Sequence, residues 1–457
     1  MGDVKNFVVF AVFGILAACA RPAWADEESL RAVIADLQAR VEALEKKAAA
    51  QEARIQDQHK CFLEQEKTIN NQEKNLRDYK ATVEALDQRL HRQEPSAIEI
   101  GRGLEIGAGA TVIVQGTNNA NAGAGEDRAD ASYSADVTLA KEFESVNGRA
   151  FVHLEAGTGD GLEDNLALYS NVNRDADNNN DVHLTEAWYE QGSCHDRFAI
   201  TFGKLDPTVY FDTNEAANDE TTQFLGRIFR NNPAIEFPDN ALGVRLAYMP
   251  KEWVEFNVGV FDANADWEKV GDDAFCAGQA ALKPKVFGRQ GNYRILGWYN
   301  DLPHTSWLTP TNDKEPAFGF ALSFDQMVTD EVMLFCRYGW QDPRVYNPSL
   351  AATGDRIFSL EQSWSAGVRV EGGLWGREKD VLGLAVGQAI ASGDYKKSNS
   401  ALAAKSEGHL EAYYNIHLND HLSISPDFQY IWNPFGQDVI GNTDPVCVWG
   451  LRSQIDF

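Results

Sequence analysis

The chain closes on "VCVWGLRSQIDF" (446–457). Read every second residue, this stretch separates into two rows. Cys447, Trp449, Leu451, Ser453, Ile455 and Phe457 are mostly apolar, whereas Val448, Gly450, Arg452, Gln454 and Asp456 are mostly small or polar. Side chains alternate across an extended strand, so the pattern predicts one oily face and one wet face. What the oily face touches decides the fold. A protein core would make this a soluble sandwich, and lipid would make it a transmembrane barrel.

The same period of two runs from Ile98 to Phe457. "VEFNVGVF" (254–261) sets Val254, Phe256, Val258 and Val260 against Glu255, Asn257 and Gly259. "AFGFALSFD" (317–325), "LGVRLAYM" (242–249) and "WSAGVRVE" (364–371) repeat the alternation. Sixteen strands are predicted, starting near residues 104, 132, 149, 183, 196, 242, 253, 279, 292, 316, 331, 363, 380, 408, 421 and 446. The connections alternate between short turns, such as Asn419-Asp420, and long loops, such as 157–182 and 206–241. A sandwich has no reason to alternate strictly, whereas an outer-membrane barrel has short turns on one rim and long loops on the other. The expected fold is therefore an all-β transmembrane barrel of about sixteen antiparallel strands over 98–457. An even strand count puts both barrel ends on the periplasmic rim, where the last strand closes against the first and leaves no open edge.

Two segments precede the barrel. Residues 1–25 read as a secretory signal peptide, with an apolar run from Phe7 to Ala20 and "AWA" before Asp26. "LAAC" (16–19) leaves a lipoprotein-type processing site at Cys19 as an alternative. Residues 26–94 read as a periplasmic α-helical coiled-coil stalk. The a positions Ile34, Val41, Ala48, Ile55, Phe62, Ile69, Leu76, Val83 and Leu90 are all apolar, and 29–93 contains neither Gly nor Pro. Four d positions are Gln (51, 58, 65 and 72), layers that weaken the seam and set register or strand number. A trimer is the preferred assembly. At 1.5 Å per residue the stalk would be roughly 95 Å long, a spacer on the scale of an envelope compartment.

A net charge of −27 argues against a nucleic-acid partner. The six cysteines have no metal-ligand spacing. No serine-hydrolase elbow, zinc-protease helix or phosphate-cradling glycine motif is present, so no enzyme is expected. With the apolar rows outward, the inward rows hold Arg245, Glu255, Arg337, Arg369 and Glu371, together with Arg149, Glu155, Asp427, Arg452 and Asp456. Such residues either line a wet channel for hydrophilic solutes or brace the barrel wall. The loop "TTQFLGRIFRNNPAIEFPDN" (221–240) is too apolar to lie free in water. It either folds inward as a constriction carrying Phe224, Arg227, Phe229 and Arg230, or packs on a neighbouring subunit. In "DADNNNDVHLTE" (175–186), Asp175, Asp177, Asn179, Asp181, His183 and Glu186 match the ligand spacing of a calcium loop. Asn180 stands where glycine is usual, and Glu186 falls in a predicted strand, so a plain Asn/Asp-rich loop is the competing reading. No cofactor other than that calcium is expected.

"LTEAWYEQGSCHDRFAITFGKLDPTVYFDTNE" (184–215) and "FPDNALGVRLAYMP" (237–250) resemble the central block of the carbohydrate-selective porins of bacterial outer membranes. "LEAYYNIHLNDHLSISPDFQYIWNPFG" (410–436) with "WGLRSQIDF" (449–457) resembles their C-terminal signature, most specifically in "SPDFQYIWNP" (425–434). The resemblance implies a sixteen-stranded barrel, often trimeric, that passes sugars by facilitated diffusion through the outer membrane. Residues 98–150 depart from the family pattern, and the stalk is an addition that resembles periplasmic segments tying some porins to the cell wall. The rival reading is a structural tether in which the barrel is mainly an anchor. An autotransporter fits poorly, because a full barrel follows only a short passenger.

Overall fold

The computed structural model describes residues 103–457 apart from 123–127, 177–180, 194–196, 270, 287, 349–356 and 440–441, together with a few helical positions between Ala35 and Lys46. Contacts divide the chain into two units, 1–91 and 92–457. Those few positions aside, the heptad segment lies outside the described residues, as does the signal peptide.

The second unit is one closed antiparallel barrel. Its strands are β1 (Leu104–Asn118), β2 (Ala129–Phe143), β3 (Gly148–Thr158), β4 (His183–Gly192), β5 (Phe198–Leu205), β6 (Ala241–Lys251), β7 (Val254–Asp262) and β8 (Ala274–Leu282), followed by β9 (Arg289–Ser306), β10 (Glu315–Met327), β11 (Val332–Gln341), β12 (Leu360–Glu371), β13 (Val381–Ala391), β14 (Glu407–His417), β15 (Leu422–Trp432) and β16 (Val446–Asp456). Each predicted start lies within five residues of an observed one. Two dipeptide pieces, Lys285–Val286 and Val345–Tyr346, pair with the ends of β9. Every strand pairs with its sequence neighbours, and β1 pairs with both β2 and β16. Val112 faces Tyr133 on one side and Ser453 on the other. The Phe457 N–H donates to the Ala108 carbonyl at 2.8 Å. Among the described residues, no barrel strand is left with an edge to template foreign pairing.

The connections sort by length to the two rims. One rim carries 144–147, 193–197, 252–253, 283–288, 328–331, 372–380 and 418–421. The other carries the long loops, including 159–182 and 206–240. The outward rows form an apolar belt. Val258, Ile295, Trp449 and Leu451 are 55%, 60%, 49% and 51% exposed, while Arg452, next to Leu451, is 1% exposed. Cross-strand aromatic pairs such as Phe198 and Tyr248, stacked 4.4 Å apart, lie on this outer face. An apolar exterior around an interior that holds the charged and hydrogen-bonding rows is the inverse of a soluble domain and matches a barrel solvated by lipid.

The inner rows hold more than polar residues. Phe275, Leu296, Trp298, Phe335 and Tyr413 point inward and are buried. They pack against the two long loops, which fold back into the barrel. A period of two separates the faces of a strand. It does not say that an inward apolar residue meets a returning loop.

Candidate functional site

Loop 206–240 is built to turn inward. Asp206 caps its first turn, accepting from the Thr208 N–H at 2.7 Å with Pro207 at the start. Asp212 adopts a left-handed backbone (φ 58°), and Asp219 accepts from the Thr221 N–H at 2.8 Å. A single helical turn, Arg227–Arg230, then presents Ile228 and Phe229 to the wall. Phe224 sits at the centre of an aromatic cluster, 4.9 Å and edge-on to Tyr413, 5.3 Å from Phe229 and 5.6 Å from Phe335. Phe211 and Ile235 pack on Phe261, Phe275 and Leu296 in a second cluster.

Inward side chains of distant strands hold the loop's backbone. Arg337 on β11 donates to the carbonyls of Ala217 (2.6 Å), Asp212 (2.8 Å) and Phe229, and its Nε lies 3.3 Å from the Asp212 carboxylate. Arg452 on β16 donates to the carbonyls of Glu220 (2.7 Å) and Gln223 (2.8 Å). Glu411 on β14 accepts from the N–H groups of Leu225 (2.6 Å) and Gly226 (2.9 Å). A charge sealed from water is tolerated only when most of its hydrogen-bonding capacity is met. The loop's irregular backbone meets most of it here, leaving the Nε atoms of Arg337 and Arg452 and one oxygen of Asp212 without a hydrogen bond.

Loop 159–182 is the second inward element. Leu162, Leu166 and Val172 pack on Ile431, Val446 and Val448. Glu407 on β14 accepts from the N–H groups of Tyr169 (2.9 Å) and Ser170 (2.7 Å), while Gln115 and Gln429 donate to the Val172 carbonyl. The two loops meet where the Arg174 N–H donates to the Leu225 carbonyl at 2.9 Å. Within loop 159–182, Glu163 accepts from the N–H groups of Val172 and Asn173, both at 3.1 Å. Burial pushes its carboxyl up to about 7 despite those donors.

Together the loops cover the inner face along β7–β16 and leave an open passage along β2–β5. The passage is a cavity of about 900 Å³. Its wall presents Asp136, Thr138, His153 and Glu155, and its loop side presents Arg174, Asp175, Asp219, Glu220, Arg230 and Asp239. Asp175 accepts from the Ser134 hydroxyl at 3.0 Å, and burial raises its carboxyl to about 7. Arg230 binds Glu220 and Thr208; burial works against its charge, but Glu220 and Asp206 outweigh it and raise the pKa. Arg227 is exposed, beside Arg174, Arg230 and Asp239. Burial, then the neighbouring Arg174 and Arg230, lower it to about 10.

The residues named from the sequence fall into distinct places. Phe224 and Phe229 are the buried anchors of the inward loop, Arg230 lines the cavity and Arg227 is exposed. Arg337 points inward but is sealed beneath the loop, its side chain 0% exposed, so it touches no open water. Arg245 and Glu255 belong to a network on β6 and β7. Arg245 bonds Asn257 (2.9 Å) and Glu190 (3.2 Å) and lies 4.4 Å above the Tyr210 ring, while Lys283 reaches Glu255 at 2.9 Å. Arg369 and Glu371 pair at 2.8 Å near the short-turn rim. Among the proposed calcium ligands, Asp177 and Asn179 lie outside the described residues. Asp181 is exposed, and Glu186 sits in β4 accepting from Trp188 and the Asp206 N–H. Asp136, His153, Lys204, Arg174 and Asp239 of the passage were not singled out from sequence, although the alternation in β2 (Ser132, Ser134, Asp136, Thr138) marks its inward row. Asp136, His153 and Glu155 have donor atoms within 4.8 Å of one another, a set suited to a divalent cation. In the structure His153 Nε2 bonds Asp136 at 2.7 Å.

Comparison with known proteins agrees with this architecture. The family described as "Carbohydrate-selective porin, OprB family" matches residues 120–457. Porin B of Pseudomonas aeruginosa is 23% identical over 324 residues, covering 60% of this chain and 68% of that protein. The high-pH structure of OprB from Pseudomonas putida superposes with a TM-score of 0.65 at 18% identity, over 78% of this chain and 94% of that one. The family match spans all but the first strand of a closed sixteen-stranded barrel, and the chain belongs to the OprB family of carbohydrate-selective outer-membrane porins.

Proposed function

We propose that the barrel passes small carbohydrates by facilitated diffusion along the passage between the two inward loops and the β2–β5 wall. The observation that carries this reading is the division of the lumen. Loops 159–182 and 206–240 pack on one side and leave a cavity of about 900 Å³ on the other, lined by hydroxyls, carboxylates and guanidiniums. A solute rich in hydroxyls both donates and accepts hydrogen bonds, so it exchanges its hydration shell for such a lining at little net cost. Arg174 and Arg227 both stand near Glu163 and help hold its carboxyl down against burial, and the guanidiniums of the cavity wall offer donors to a passing solute. Within this reading Arg245, Glu255, Arg369 and Glu371 shape the short-turn end of the lumen, and Arg337 acts by holding the constriction. The heptad segment 26–94 is read as a periplasmic spacer toward the cell wall, and a homotrimer remains the preferred assembly. β1 begins and β16 ends on the short-turn rim, the periplasmic one in such barrels.

Single-channel recording of the purified protein in planar bilayers, titrated with neutral sugars, tests the reading. The expected result is a small conductance reduced by sugar in a saturable way. Conductance indifferent to every sugar would remove the carbohydrate specificity. A protein that inserts but never conducts would favour the tether.

A further inference from the structure

The outer row of β7 breaks its pattern at the last residue. Val258 and Val260 are 55% and 48% exposed, yet Asp262, next on the same row, is 5% exposed. It pairs with Ala274, the first residue of β8, so it sits where the hairpin reaches the long-loop rim. Loop 263–273 closes over it, and the Trp267 N–H, Asp266 and Asp272 are near enough to act on its carboxylate. Both carboxylate oxygens are buried, and neither accepts a well-formed hydrogen bond; the Trp267 N–H offers a partial one. A buried carboxylate left so poorly satisfied calls for a partner that brings positive charge.

The loop over it has the spacing of a calcium loop. In "DANADWEKVGDD" (262–273), Asp262, Asn264, Asp266 and Asp273 stand at positions 1, 3, 5 and 12, and the Glu268 carbonyl stands at position 7. Position 6 is glycine in such loops because the chain turns sharply there. Here it is Trp267, held at a φ of 63°, the conformation a glycine would supply. The side-chain oxygens at positions 3 and 5 each accept from the N–H two residues on, Asn264 from Asp266 at 3.2 Å and Asp266 from Glu268 at 2.7 Å. Burial, then Asp272, Asp301, Asp262 and Asp266, raise the Asp273 carboxyl, so the acids crowd one place. They do not yet converge. Among the described residues, the one set of three acids or histidines with donor atoms within 4.8 Å of one another is Asp136, His153 and Glu155.

We propose that loop 262–273 binds one divalent cation of calcium size through Asp262, Asn264, Asp266, the Glu268 carbonyl and Asp273, and that the ion draws the loop in over the end of β7. Asp262 is the fixed anchor, since it is the one ligand carried by a strand. An all-oxygen donor set suits a hard cation. Asp273 is a shorter arm than the glutamate usual at position 12, which places the affinity in the weak range of extracellular modules, about 10⁻⁴–10⁻³ M. The site lies on the long-loop rim and does not depend on which solute the channel passes.

Terbium luminescence of the full-length protein in detergent tests the proposal. Tb³⁺ takes the place of Ca²⁺ among oxygen ligands and emits when excited through a neighbouring indole, here the Trp267 side chain within the loop. The expected result is saturable emission that Ca²⁺ reverses at about 10⁻³ M. Trp267→Phe should abolish the emission while Ca²⁺ binding in calorimetry persists. Asp262→Asn and Asp266→Asn should each weaken Ca²⁺ binding about tenfold or more, because affinity follows the number of charged ligands. Asp420→Asn on the short-turn rim should change nothing. In the unaltered protein, Ca²⁺ should slow tryptic cleavage after the exposed Lys269 several-fold, which decides the matter if the variants fail to fold. Emission that survives Trp267→Phe, Ca²⁺ binding undiminished in Asp262→Asn, or cleavage at Lys269 indifferent to Ca²⁺ overturns the proposal and leaves Asp262 as a buried carboxylic acid.

Discussion

The two sides of the lumen follow opposite rules although the same strand chemistry builds both. Along β7–β16 the inner face behaves like the core of a soluble protein. Phe275, Leu296, Phe335 and Tyr413 are buried against a loop, and the charges among them are sealed and bonded to its backbone. Along β2–β5 it behaves like a surface turned inside out, with Asp136, His153 and Glu155 facing water. The difference lies in what covers each wall. Two loops cross the barrel and dock on the far side, and the near side is left as the route.

The contrast predicts that a change on the packed side alters the shape of the pore, and a change on the wet side alters only its chemistry. The largest effect is expected from Arg337→Ala. It frees three loop carbonyls and strands the Asp212 carboxylate, whose proton affinity burial already raises. Breaking a buried pair this way costs about 3–5 kcal/mol. Loop 206–240 should leave the wall, read as a several-fold rise in single-channel conductance and loss of any sugar block; an unchanged conductance would break the comparison.

Phe224→Ala comes next. It empties the centre of the aromatic cluster and should cost up to about 3–5 kcal/mol, seen as a lower denaturation midpoint in detergent. A shift no larger than that of an outer-face substitution would mean that the loop is not packed as a core.

The third effect is a dependence on pH. Glu163 titrates near 7 in the folded loop against an ordinary value of 4.5. The folded state therefore holds a proton that the released chain gives up, so docking of loop 159–182 is most stable below 4.5 and weakens as pH rises to about 7. Amide exchange in 159–176 should be slower at pH 5 than at pH 8, after correction for intrinsic rates. Glu163→Gln should flatten the difference.

The smallest effect on stability is expected on the wet wall. Asp136→Asn loosens a partly exposed pair with His153 and should change stability by less than about 1 kcal/mol while changing the chemistry of the passage. A stability loss as large as that of Arg337→Ala would make this wall structural rather than conductive.

Most of the barrel was legible because the face of a strand residue is set by its place in the chain. Trp449 and Leu451 face lipid and Arg452 faces inward, as the alternation requires. The inward loop was also legible in part, since Phe224, Ile228 and Phe229 are too apolar to be left in water. The role of Arg337 was not legible. An inward arginine reads the same whether it meets solvent or a carbonyl, and its partners Asp212, Ala217 and Phe229 come from a loop more than a hundred residues earlier in the chain. Loop 159–182 was missed as a constriction for a similar reason. Its apolar residues are few and scattered, and their partners Val446 and Val448 lie at the far end of the sequence, in the strand whose polar row seemed simply wet.

What the sequence determined by itself is the closed sixteen-stranded wall, with its lipid face and its long-loop rim, because strand alternation and loop length are local properties. What the tertiary structure decided is which half of that wall is dry. That depends on where two loops land after crossing the lumen, and landing is settled by contacts between residues far apart in the chain, which no local period encodes.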